Sequence, residues 1–231
     1  MGFFAQSGCP PVTHPTPCTD NNREDTLMPP SKPYQPLLLR LLHNISALTA
    51  LLAIVTSFLV YNTFDGRFGK LPLPRIRDII GIHGTFGLIF LLAIPAFALY
   101  SFHAGEKRLV QPDSFKNLAK FSKPIWWYSL HRTVNTAMLL AATFALITGR
   151  MMKEEWLPKE EFYHIWYTLH LTAWVILVFC LAAHLLLNAK VGGANLILSM
   201  FAIHYRPEDN PALWPNKIGS WLHRLTSKGD N

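Results

Sequence analysis

Acidic residues are scarce in this chain, and scarcest where it is most apolar. It has 14 Asp plus Glu against 21 Lys plus Arg, and charged residues make up only 15% of it. No charged residue at all occurs from 41 to 64 or from 162 to 189. Apolar stretches without carboxylates speak against an ion-coupled transporter, and no inverted repeat of broken helices is present. Cysteine is equally sparse: Cys9, Cys18 and Cys180. There is no CxxCH for covalent c-type haem and no CxxC pair for zinc. Cys180 reads as a small packing residue. Cys9-x8-Cys18 around His14 is too little to define a metal site. No apolar run follows a basic start, so no cleaved signal peptide is expected. No long-period repeat is visible.

What is present is apolar and arranged in blocks. Half of the residues are hydrophobic. A helix crosses a bilayer with about 20 apolar residues, and four stretches suffice: about 37–61, 79–100, 126–151 and 161–190. The expected fold is all-α, an integral-membrane up-down four-helix bundle over 37–190. A proline-rich tail over 1–36 is expected to be disordered. Residues 191–231 are expected to be interfacial: Gly192-Gly193 break the helix, then 194–205 and IGSWLHRL form short surface helices. The net charge of +7 follows span ends and loops, which indicates membrane anchoring rather than nucleic-acid binding. The Trp126-Trp127 pair marks a membrane interface. The N-tail, the second loop with the start of span three, and the C-tail hold 14 Lys plus Arg; the first and third loops hold 7. That imbalance predicts cytoplasmic termini.

The last block carries His170 and His184, 14 positions apart. That spacing is roughly four helical turns and about 21 Å of axis, so both imidazoles project from nearly one face. Metal-capable side chains inside a membrane span indicate function. The alternating topology then sorts the histidines by depth. His43 opens span one and His184 closes span four, so both lie on the termini side, the inner side here. His83 opens span two and His170 opens span four, so both lie on the opposite, outer side. Each level pair could give two axial nitrogens to one haem iron, an electron-carrying arrangement with no open position. His131, on the inner side, could replace His43 or hydrogen-bond a propionate or quinone. His103, His164, His204 and His223 read as interfacial.

Gly81, Gly84 and Gly87 recur beside His83; they suit either close helix packing or room for a flat macrocycle. Arg40 and Arg132 stand near the inner pair, and Arg75, Arg77 and Arg150 near the outer side. Arginine pairs well with propionate carboxylates, although anchoring at the interface explains each one singly.

The stretches RLLHNISAL, GIHGTFGLIFLL, ALITGRMM and HLTAWVILVFCLAAHLLLNAK resemble the bacterial cytochrome b561 family over about residues 37–204. That family includes the membrane cytochrome b subunits of nickel-iron hydrogenases and formate dehydrogenases. The resemblance implies two b haems held from spans one, two and four, and carries over to His43, His83, His170 and His184. It also implies electron transfer to or from membrane quinone. The chain departs in having Asn44 after His43, where family members often have Trp, and in its long N-terminal tail.

The expected protein is therefore a di-haem b-type cytochrome relaying electrons between a donor and quinone, alone or as part of a quinone-linked oxidoreductase. Its cofactor-binding residues are expected to be His43, His83, His170, His184, Arg40, Arg132 and His131, with the first four as iron ligands. Expected partners are lipid, quinone and an electron donor or acceptor protein, in a homodimer or a larger complex. The expected location is a plasma membrane or an internal photosynthetic or respiratory membrane. The competing reading is a haem-free structural or assembly subunit whose histidines serve helix packing.

Overall fold

The computed structural model describes residues 34–216 and 218–220. Residues 1–33 of the expected disordered tail, with Cys9, His14 and Cys18, lie outside the described residues. So does the surface helix expected around His223, beyond its helical start at 218–220.

Among the described residues there is no strand. Four helices are long and apolar enough to span a membrane: α1 (Leu37–Phe64), α2 (Ile79–Ala104), α4 (Pro124–Met151) and α5 (Ile165–Ser199). A short helix, α3 (Ser114–Leu118), lies in the loop before α4. Pro36 stands just before α1, and Pro124 occupies the first turn of α4, where a missing N–H costs nothing. His164 caps α5, its ring accepting a hydrogen bond from the Trp166 amide at 3.2 Å.

Packing is densest within two helical hairpins, α1 with α2 and α4 with α5. Between the two histidine levels lies an apolar layer of Phe90, Ile94, Leu139, Ala141, Ala142 and Leu177, with Ile54 and Phe97 against it. Trp174 on α5 crosses to α1, donating its indole N–H to the Ile54 carbonyl at 3.2 Å. Large apolar side chains such as Leu92, Phe179 and Leu186 are exposed on the helix surfaces. In lipid that carries no penalty, and helices associate through packing and buried polar contacts instead.

Polar contacts close both ends of the bundle. At one end Tyr167 donates to the Asp65 carboxylate at 2.6 Å, and Arg67 pairs with the same carboxylate at 2.9 Å. That hydrogen bond raises the Arg67 guanidinium above its ordinary pKa. Asn62 is buried and fixes the first loop through both its amide atoms, bonding the Leu71 backbone at 2.7 and 3.1 Å.

At the other end the start of α1 is clasped by the chain beyond α5. Arg40, only 3% exposed, donates to the Ala202 and His204 carbonyls. Asn44 donates to the Met200 carbonyl at 2.9 Å, and Tyr34 donates to Asp209. The guanidinium of Arg206 stacks 4.2 Å from the Tyr34 ring centre.

Gly193 adopts φ 63°, ψ −173°, a non-helical conformation that favours glycine, so the helix breaks there as expected and a second short helical stretch runs on to Ser199. The clasp corrects one expectation. The surface helix expected over 194–205 stops at Ser199, and residues 202–206 are not helical. The carbonyls of Met200, Ala202 and His204 are taken by Asn44 and Arg40, which replace the i+4 amides a helix would supply.

Candidate cofactor site

The two hairpins face each other through histidines. His83 on α2 and His170 on α5 have ring centres 6.1 Å apart, with planes at 67°. His43 on α1 and His184 on α5 have centres 6.3 Å apart, with planes at 34°. Each pair takes one ring from each hairpin.

The Nδ1 atoms are turned away from the partner ring. His83 Nδ1 lies 3.1 Å from the Ala53 carbonyl and 3.2 Å from Thr56 Oγ1. His170 Nδ1 lies 2.9 Å from the Ala145 carbonyl and 3.1 Å from Thr148 Oγ1. A carbonyl only accepts, so both rings carry their proton on Nδ1. Among the described residues neither Nε2 has a hydrogen bond.

His184 Nδ1 donates to Asn135 Oδ1 at 2.8 Å. The Asn135 amide nitrogen is committed to the Arg108 carbonyl at 3.1 Å, which orients the oxygen toward the ring. Asn188 donates to His184 Nε2 at 3.1 Å and to the His184 carbonyl at 2.8 Å. His43 is held more loosely, with Asn44 Oδ1 3.4 Å from its Nδ1. The unprotonated Nε2 of a ring anchored through Nδ1 is the form that binds a metal.

His131 on α4 lies with its ring centre 5.8 Å from that of His184. Its Nε2 is buried without a partner. The other buried polar atoms without partners among the described residues are Arg40 Nε, Ser46 Oγ and Ser129 Oγ. All four belong to His131 itself or to residues within three positions of His43 or His131. Leaving a buried donor or acceptor unsatisfied costs about 1–3 kcal/mol, so the inner level has unused capacity for a polar ligand.

Arg40 uses both terminal nitrogens on backbone carbonyls of the clasp, as described above. Arg132 is half-buried, and no hydrogen bond or ion pair engages its side chain among the described residues. Cys180 is half-buried in α5 with a free thiol.

The glycines beside His83 differ in their surroundings. A methyl group on Gly81 would meet the Asp78 carboxylate at 2.6 Å, a contact that the exposed Asp78 side chain can relieve by turning. On Gly84 or Gly87 it would meet nothing within 4 Å, so neither serves tight helix packing. Gly87 is one turn beyond His83, on its face of α2. A second glycine matters at the outer level: a methyl on Gly149 would come within 3.0 Å of the His170 ring.

Among the described residues no group of three or more His, Cys, Asp or Glu side chains could hold a bare metal ion. A porphyrin brings four nitrogens of its own and asks the protein for two more. The paired imidazoles, with their common tautomer and the glycine-lined flank of His83, fit that requirement.

Sequence reasoning missed Thr56, Thr148 and Asn188. Asn44 it noted only as a departure from the family pattern. The one legible signal was the repeated tetrapeptide Ala-Ile-Val-Thr at 53–56 and Ala-Leu-Ile-Thr at 145–148.

The chain matches no curated protein and no solved structure. The profile of the prokaryotic cytochrome b561 family matches residues 34–202, which covers all four spans and both histidine pairs. With that match over most of its length, this four-span membrane protein belongs to the prokaryotic cytochrome b561 family.

Proposed function

We propose that this protein is a di-haem b-type cytochrome that relays electrons across the membrane to or from quinone. Family membership carries the coarser statement, a membrane haem b electron carrier. His83 and His170 would hold the outer haem, and His43 and His184 the inner one. When bound, each haem supplies one-electron chemistry that no side chain provides.

The observation that carries this reading is the spacing of the two pairs. Imidazole–metal bonds of about 2 Å, as at zinc, plus about 1 Å from nitrogen to ring centre on each side, require ring centres about 6 Å apart. The two pairs stand at 6.1 and 6.3 Å. Bis-histidine ligation leaves the iron no open position, which suits electron transfer rather than oxygen binding.

For the inner site His43 is the better partner of His184. The Nδ1 edge of His184 is bonded to Asn135 on α4, the helix that carries His131. The opposite, ligating Nε2 has no hydrogen bond to α4; among the described residues its one partner is Asn188 of its own helix, which would have to give way to a metal. His131 is then available for another role, and its buried, unpartnered Nε2 supports a contact with a quinone or a propionate. Arg132, with no other engagement, suits the same carboxylates. Cytoplasmic termini follow from the loop charges, which puts the inner haem on the cytoplasmic side.

The test is a pyridine haemochrome assay with a reduced-minus-oxidised spectrum on the purified protein. Two reducible b haems per chain are expected; one or none rejects the reading. A haem-free structural subunit is the rival, favoured by the hydrogen bonds that tie His83 to α1 and His170 to α4. It predicts a colourless protein whose His170→Ala variant assembles normally.

A further inference from the structure

The two outer histidines are held in the same way by two stretches on different helices. Ala53-Ile54-Val55-Thr56 lies on α1 and Ala145-Leu146-Ile147-Thr148 on α4. In each, the threonine hydroxyl bonds back to its own helix. Thr56 donates to the carbonyls of Leu52 at 2.7 Å and Ala53 at 3.2 Å. Thr148 donates to those of Phe144 at 2.8 Å and Ala145 at 3.1 Å. The histidine on the following helix of the hairpin then places Nδ1 between that alanine carbonyl and that hydroxyl oxygen.

The consequence is chemical. A hydroxyl has one hydrogen, and here it is spent on the helix carbonyls. Toward the ring its oxygen can only accept. Nδ1 thus faces two acceptors, and the protonated state of that nitrogen is the one both of them favour. Thr148 is fully buried and Thr56 is 8% exposed, so water does not supply an alternative donor.

Back-bonding threonine is common in these helices. Thr49, Thr133, Thr143 and Thr172 all do it, and none of them meets an imidazole. Among the described residues only Thr56 and Thr148 do both. The inner level has no such cradle, since His184 and His43 face side-chain amides.

We propose that Thr56 and Thr148 are the positioning residues of the outer site. Together with the Ala53 and Ala145 carbonyls they fix His83 and His170 as Nδ1–H tautomers and aim both Nε2 lone pairs into the space between the hairpins. A hydrogen bond that pulls on Nδ1–H makes the ring a stronger donor to iron, which favours the ferric state. The two threonines therefore hold the outer haem's potential down. The inference rests on the di-haem reading above.

The test uses the full chain purified with its haems. Thr56→Val and Thr148→Val keep side-chain volume and remove the hydroxyl; Thr56→Ser and Thr148→Ser keep it. Spectroelectrochemical titration reads each haem's midpoint potential, and the low-spin ferric EPR signal reports the ligand field. Each valine variant is expected to raise the potential and shift the EPR signal of one haem, the same haem in both, and to leave the other unmoved. The serine variants are expected to titrate like the parent. Loss of that one haem in a valine variant, with serine retaining both, supports the inference equally. It is overturned if the valine variants titrate like the parent, move different haems, lose both haems, or behave like the serine variants. A parent with fewer than two haems removes the di-haem reading itself, whereas unmoved variants of a two-haem parent remove only this inference.

Discussion

His83 and His170 meet across the two hairpins with ring centres 6.1 Å apart, each anchored through Nδ1 to a carbonyl of the preceding membrane helix. Each ring is anchored within its own hairpin, so the outer site is made of two half-sites, one from each hairpin. Direct helix packing between the hairpins is sparse compared with packing inside them, so a group bound between the imidazoles would hold the halves together.

Replacing one outer ligand should remove one haem and spare the other. His170→Ala is expected to lower the haem content from two per chain to one, with the remaining haem still reducible. The pyridine haemochrome ratio measures this. A variant that keeps both haems would show that α5 does not bind the outer one through His170.

Gly149→Ala should weaken the outer site without touching a ligand. The added methyl would approach His170 Cε1 to 3.0 Å, too close unless the ring tilts away from the Ala145 carbonyl. Overpacking of this kind costs about 1–3 kcal/mol. Haem content and the EPR signal of one haem should both change, while the His170→Ala background should be insensitive to the same substitution.

The inner site has its own handle in Asn135. Asn135→Leu removes the acceptor of the His184 Nδ1 proton and leaves that nitrogen unsatisfied. The inner haem's potential should rise and the outer one should stay. Electrochemical titration of the variant, alone and with His170→Ala, tells which haem has moved.

Arg40→Ala should loosen the clasp. Its two Nη donors hold the Ala202 and His204 carbonyls, and hydrogen bonds from a charged group contribute about 1.5–3 kcal/mol each. Faster protease cleavage within 200–209 is the expected result, together with a lower thermal midpoint. Unchanged cleavage would mean that Asn44 and Tyr34 suffice.

Tyr167→Phe should destabilise the opposite end only mildly, by about 1 kcal/mol, because Asp65 keeps its Arg67 partner at 2.9 Å. Thermal unfolding in detergent, compared with the parent, is the measurement.

The long apolar blocks made the four spans legible, because a helix needs about 20 predominantly apolar residues to cross a bilayer. The 14-residue spacing of His170 and His184 placed both on one face through helix geometry alone. Alternating topology then sorted the other histidines by level, and the distances between rings agree with that sorting. What stayed hidden was everything that depends on which helix lies beside which. Alanine and threonine are ordinary membrane residues, so the similar tetrapeptides at 53–56 and 145–148 do not identify an imidazole anchor until α2 and α5 are packed against them. The break at Gly193 was legible, but the length of the helix after it was misjudged for the same reason. It stops at Ser199, and the carbonyls beyond it are taken by Arg40 and Asn44, over 150 positions away.

The sequence by itself determined the membrane class, the number of spans and the level pairing of His43 with His184 and His83 with His170, since all three follow from local hydropathy, alternating topology and the fixed rise of a helix. Only the tertiary structure decided the tautomers of His83 and His170, the hydrogen bond of His184 with Asn135, and the partners of Arg40. Those depend on hydrogen bonds between helices, whose donors and acceptors are brought within 3 Å by packing and not by their order in the chain.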